Sequence, residues 1–160
     1  RKSIQYFQKS IFIQKDNYAA KNNLANVYKN LYEFREAESL YKEIIRDDSK
    51  NVKALNNYAN LKREINQYQE AKKLLLKANN IESNNINILL NLSMCCQGIG
   101  ESNEAKNYAL KVIDLDPNNT SAHKLLSTLV DYNNDQKQIT SSFDSFYAFE
   151  SGVHGAHRDY

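Results

Sequence analysis

The chain has 160 residues, 25% of them charged and 41% apolar, and its 21 basic and 19 acidic side chains leave a net charge of +2. So even a balance makes no case for nucleic-acid binding, and no apolar run approaches the ~18 residues needed to span a membrane. One Pro and four Gly are too few for a turn-rich β fold, and the two cysteines, Cys95 and Cys96, are neighbours that make no disulfide framework; the expected setting is reduced and cytoplasmic.

Residues 1–16 carry Ile4, Phe7 and Ile11 at helical spacing, with Tyr6 and Ile13 widening the stripe, and predict one helix. Residues 18–51 predict a helix pair. Leu24, Ala25, Tyr28 and Leu31 line its first helix, Ala37, Leu40, Tyr41, Ile44 and Ile45 its second, and the turn falls near Tyr32-Glu33-Phe34. Residues 52–85 predict a second pair with a turn near Asn66-Gln67-Tyr68. Residues 86–119 predict a third, whose turn carries Gly98 and Gly100 and which ends at Pro117, where a helix cannot continue. A further first helix, 120–132, presents Leu125, Leu126, Leu129 and Val130. Beyond it, residues 133–160 hold a polar break, a stripe of Ile139, Phe143, Phe146 and Tyr147 that fits one degenerate helix, and a tail containing Gly and His.

The pairs recur every 34 residues. Position eight of each unit is Ala25, Ala59, Ser93 and Ser127, and position twenty is Ser3, Ala37, Ala71 and Ala105. Where two helices cross at ~8–10 Å, a small residue on each lets the backbones approach. A fixed period of this length predicts an all-α solenoid, each unit burying its apolar face on the next. Residues 1–17 align with a second helix, so the chain is expected to be a segment of a longer protein. The free face of that helix should fray, and the open ends of the stack are where copies could self-associate.

The run Leu24-Ala25-x-x-Tyr28 with Ala37-x-x-x-Tyr41, a polar break after it and Pro117 closing the third unit, resembles the tetratricopeptide repeat across residues 1–132. The Trp of that pattern is absent; Lys21, Leu55, Leu89 and His123 stand there. The resemblance implies a right-handed superhelix of antiparallel helix pairs, with full repeats at 18–51, 52–85 and 86–119. It also implies that the first helices line a concave groove. The inward positions are then Ala19, Asn22, Asn23, Asn26, Lys29 and Asn30 in the first unit, and Lys53, Asn56, Asn57, Asn60, Arg63 and Glu64 in the second. In the third they are Asn87, Leu90, Asn91, Met94, Gln97 and Gly98.

Nine of these eighteen positions are Asn, in a chain with 22 Asn altogether. Two explanations stand: a binding surface, or a sequence merely rich in solvated Asn. Asn is a middling helix former, so propensity does not put it there. Its side chain offers one acceptor and one donor amide, and a row of them could pair with the backbone of an extended peptide while ignoring its side chains. The stretch Asn57-Tyr58-Ala59-Asn60-Leu61-Lys62-Arg63-Glu64 is similar to repeats of O-linked N-acetylglucosamine transferases. That resemblance implies a peptide-holding ladder at Asn23, Asn57 and Asn91, interrupted by Leu125 in the fourth unit. Asn22, Asn26, Asn56 and Asn60 would flank it, and Lys29, Lys53 and Arg63 would make the groove mildly basic, favouring acidic peptides. The two-carboxylate clamp of chaperone-binding tetratricopeptide domains fits poorly, because Leu90 and Met94 occupy positions where it needs polar residues.

Nothing in the sequence points to catalysis. No Gly-x-Gly-x-x-Gly or Walker-type loop is present to cradle a phosphate. Cys96 occupies the core-facing eleventh position and is expected to be a buried, inert thiol, with Cys95 packed at a helix interface. His154 and His157 lack further ligands for a metal, and Asp47-Asp48 reads as a solvated helix end. The expected function is a non-catalytic scaffold for a protein or extended peptide, with no cofactor, nucleic acid or membrane partner. The alternative is the substrate-presenting part of a larger glycosyltransferase or sulfotransferase, since Asn-rich arrays of this kind also resemble bacterial ones fused to such domains. A spacer with no groove ligand is the third reading.

Overall fold

The computed structural model describes residues 2–129. The degenerate helix, the tail and Val130 lie outside the described residues. Seven helices run in order: α1 (Lys2–Ile13), α2 (Tyr18–Asn30), α3 (Phe34–Asp47), α4 (Val52–Glu64), α5 (Tyr68–Ile81), α6 (Ile86–Ile99) and α7 (Ser102–Leu115). Residues 120–129, here α8, are also helical. No strand occurs among the described residues.

The period is written into both ends of the first helices. Asn17, Asn51, Asn85 and Asn119 precede α2, α4, α6 and α8 at 34-residue intervals, and their Oδ1 atoms accept from the N–H of Ala20 (3.0 Å), Ala54 (3.0 Å), Ile88 (3.4 Å) and Ala122 (3.1 Å). Asn is among the best residues for this task, because it satisfies backbone donors that the first helical turn leaves unpaired. Three of the caps are braced by an acid three residues earlier: Asn51 by Asp48, Asn85 by Glu82 and Asn119 by Asp116. Asp48 is therefore not simply solvated, as its place at a helix end had suggested. It holds the next cap in place. At the other end, Tyr32 (φ 61°), Asn66 (φ 61°) and Gly100 (φ 90°) take the left-handed conformation. The following N–H then turns back to the helix, Glu33 to Tyr28 O, Gln67 to Lys62 O and Glu101 to Cys96 O, at 2.8–2.9 Å, a helix-ending turn that satisfies a late carbonyl.

Gly98 lies inside α6 rather than in the turn. A Cβ there would sit 2.6 Å from the ring of Tyr68, so this glycine answers a close approach between helices.

The small residues of the three complete units are buried at the seams. Ala25, Ala37, Ala71 and Ala105 are 0% exposed, and so is Ser93, whose hydroxyl donates to Ala105 O at 2.8 Å. Their counterparts in the flanking half-units, Ser3 and Ser127, are exposed. Between the seams, Tyr41, Leu61, Leu75 and Leu92 fill the core. Leu31 departs from expectation: it is the C-cap of α2 and half exposed, because the helix ends before it can turn inward. Among the described residues, helix α1 packs on α2 alone and buries no residue completely. Ile4, Phe7 and Ile11 are half-buried, whereas Tyr6 and Ile13 point to solvent, since a single neighbour covers a single face.

The backbones of α2 and α4, and of α4 and α6, approach closely, while those of α3, α5 and α7 stay further apart and are linked at α5 and α7 by the side chains of Lys72 and Glu104. The stack is therefore narrower along its first helices and bends around them. That bend creates the groove.

Candidate functional site

The Asn-rich positions, expected to face inward, share one face of α2, α4 and α6. Asn57 Nδ2 donates to Asn22 Oδ1 at 3.1 Å, and Asn91 Nδ2 donates to Asn56 Oδ1 at 2.9 Å. Both bonds join the sixth position of one unit to the fifth of the unit before, so the same 35-residue link recurs along the groove. At the next step the two positions are Leu90 and Leu125, and the polar link gives way to an apolar pair of positions. Asn22 is 1% exposed; it supports Asn57 from behind. Asn23 is exposed, and Asn57 and Asn91 are half-buried. Neither Asn57 Oδ1 nor Asn91 Oδ1 takes a hydrogen bond among the described residues, so each keeps an uncommitted acceptor.

The remaining residues of the expected site divide into committed and open groups. Asn26 Oδ1 accepts from Tyr41 Oη at 2.6 Å, and Lys29 pairs with Glu64 at 2.6 Å. Lys29 therefore adds little net positive charge to the groove. Lys53 is exposed beside Asn56 and Asn57 in a cleft of ≈ 320 Å³. Asn60 Oδ1 and Arg63 Nε are buried without a hydrogen-bond partner among the described residues. Arg63 lines a larger cleft of ≈ 570 Å³ with Tyr68, Met94, Gln97, Lys124 and Leu125. Lys124 and Tyr68 went unnoticed in the sequence. One lies in an incomplete unit, and the other becomes part of the wall only because Gly98 admits its ring.

Two charge clusters, each centred on a shielded lysine, lie where the units meet. Lys62, 5% exposed, reaches Glu38 (3.1 Å) and Glu70 (2.9 Å) and lies over the Tyr58 ring. Burial alone would raise the Glu38 carboxyl, but hydrogen bonds from Lys42, Tyr58 and Lys62 bring it down to about 2. One unit further on, Cys96 stands where Lys62 was. The cation now comes from Lys72, which pairs with Glu101 and Glu104. Cys96, Glu101 and Glu104 bring three donor atoms within 4.8 Å of one another, a grouping with metal-ligand chemistry, but the Lys72 ammonium already pairs with both carboxylates. Burial pushes the Cys95 thiol up to about 11 and Cys96 to about 12, far from the thiolate that a nucleophile or metal ligand must supply. Both cysteines are 0% exposed. No helix among the described residues is long and apolar enough to cross a membrane.

Two family models described as tetratricopeptide repeat match residues 31–85 and 86–119. Curated protein sequences gave no match. The fold is similar to that of the second TPR domain of human RPAP3, determined by NMR in complex with the HSP70 peptide SGPTIEEVD (24% identity, TM-score 0.65, covering 68% of this chain and 91% of that one). It is also similar to the first TPR of Spaghetti (RPAP3) bound to the HSP90 peptide SRMEEVD (18% identity, TM-score 0.70, 73% and 93% covered). MamA 41-end from Desulfovibrio magneticus RS-1 matches over more of the chain (16% identity, TM-score 0.75, 93% and 84% covered). With contiguous family matches over more than half its length and a stack of capped helix pairs repeating every 34 residues, the chain belongs to the tetratricopeptide repeat family.

Proposed function

We propose that this chain is a non-catalytic scaffold that holds an extended peptide along the Asn-lined concave face. The observation that carries the reading is the repeated bond from Asn57 to Asn22 and from Asn91 to Asn56. Asn57 and Asn91 are each fixed by their own amide and keep the carbonyl oxygen uncommitted, while Asn23 stands exposed at the start of the row. Acceptors held in this way at unit spacing suit the N–H groups of a strand-like backbone, which carries a donor at every non-proline residue. Preorganisation reduces the ordering cost of binding. Two structural relatives are bound to peptides, which agrees with this use of the groove.

The test is a peptide-library pull-down with wild type and with Asn23→Ala and Asn57→Ala, each checked by its melting midpoint. Asn23 is exposed, so its loss should weaken capture without changing stability. Asn57→Ala should weaken capture and also lower stability, because Asn22 stays buried without its partner. Equal capture of the same peptides by all three proteins would remove the ladder from the account. The same groove would serve a larger glycosyltransferase or sulfotransferase, a reading that rests on the resemblance of Asn57 to Glu64 described above. A parent reading frame without nucleotide-binding loops would argue against it.

A further inference from the structure

The cations facing the groove and its seams are mostly spent. Lys21 pairs with Glu43, Lys29 with Glu64, Lys62 with Glu38 and Glu70, and Lys72 with Glu101 and Glu104. Arg63 and Lys124 are different. They line one cleft, no acidic residue lines it with them, and neither pairs with a carboxylate among the described residues. The Arg63 Nε also lacks an acceptor, an unusual state for a shielded charged donor. The rest of the wall is mixed: Gln97, Ser121 and Thr128 are polar, while Met94, Leu125 and the Tyr68 ring, which lies against α6 where Gly98 has no side chain, supply an apolar side. A cleft of ≈ 570 Å³ falls within the ~300–1,000 Å³ typical of ligand pockets, ample for one or two peptide side chains.

We propose that this cleft between α4, α6 and α8 is a specificity subsite that takes an acidic side chain of the peptide in the groove, with an adjoining apolar side chain against Met94 and Leu125. The proposal rests on the peptide-groove reading and adds a side-chain preference to it. The ladder asparagines read backbone, whereas Arg63 and Lys124 read charge. Preference for acid therefore arises at the α8 end of the groove, and Lys29, already neutralised by Glu64, contributes little to it.

The experiment uses the full chain and a positional-scanning peptide library in which one position at a time is fixed as Glu, Gln or Leu, with binding read by fluorescence anisotropy at low and high salt. At one position wild type should favour Glu over Gln by about fivefold, the most a half-exposed ion pair usually supplies, and high salt should shrink that preference. Lys124 is exposed, so Lys124→Gln should fold normally, lose the Glu preference and bind the Gln peptides as before. Lys124→Glu should disfavour Glu. Absence of a Glu preference at every position, or an equal loss of Glu and Gln peptides in Lys124→Gln, would overturn the acidic subsite and leave the groove standing. Binding that ignores both Lys124→Gln and Asn57→Ala would overturn the subsite and the groove together.

Discussion

Glu38 shows how one half-buried carboxylate ties two helices together, receiving Tyr58 and Lys62 of α4 and Lys42 of its own α3. Its carboxyl is held at about 2 against an ordinary 4.5. A group with a depressed folded value stabilises the fold fully above its unfolded value and loses that contribution as pH falls through the folded one. Thermal melts of wild type and Glu38→Gln should therefore differ most near neutral pH, and the gap should close between about pH 4.5 and pH 2. A gap that stays constant over that window would separate Glu38 from the acid response. This cluster was not legible in the sequence, because Glu38, Lys62 and Glu70 come from separate helices and read singly as solvated charges. Tyr32 offers a second test. It holds the left-handed position that Asn66 and Gly100 fill one and two units later, and a bulky residue there is strained. Tyr32→Asn should raise stability by about 1 kcal/mol, less what is lost from the edge contact with Phe34. An unchanged or lower melting midpoint would show that contact to be worth more than the strain.

Each helix pair depends on its two small residues. Ala59 of α4 and Ala71 of α5 are 1% and 0% exposed, with no room for a larger side chain unless the pair opens. Ala59→Leu or Ala71→Leu should destabilise the chain by about 1–3 kcal/mol through overpacking. Denaturant midpoints equal to wild type in both variants would mean that the crossing point lies elsewhere. These seams were readable because close approach demands a residue type, and the type recurs at a fixed interval. The helix boundaries were less so. The asparagines at 17, 51, 85 and 119 stand just ahead of the first helices, and only the structure shows that their side chains start the next helix. Gly98 read as a turn residue, because a glycine that accommodates a neighbouring ring and one that permits positive φ look alike until Tyr68 is placed.

Across the molecule, closer backbone approach among the first helices than among the second bends the stack and sets the asparagines of successive units side by side. The 34-residue period made that alignment legible. The pairing of Asn57 and Asn91 with the preceding unit was not, since it depends on the rotation from one unit to the next. The acceptors left uncommitted by that pairing are what the peptide reading relies on. Backbone N-methylation of a library-selected peptide, one residue at a time, tests this most directly by calorimetry. Methylation should abolish binding at a few regularly spaced positions and leave it intact between them, while alanine replacement of most peptide side chains should change little. Binding indifferent to every backbone methyl, and lost instead with particular side chains, would contradict a ladder built to hold the peptide chain itself.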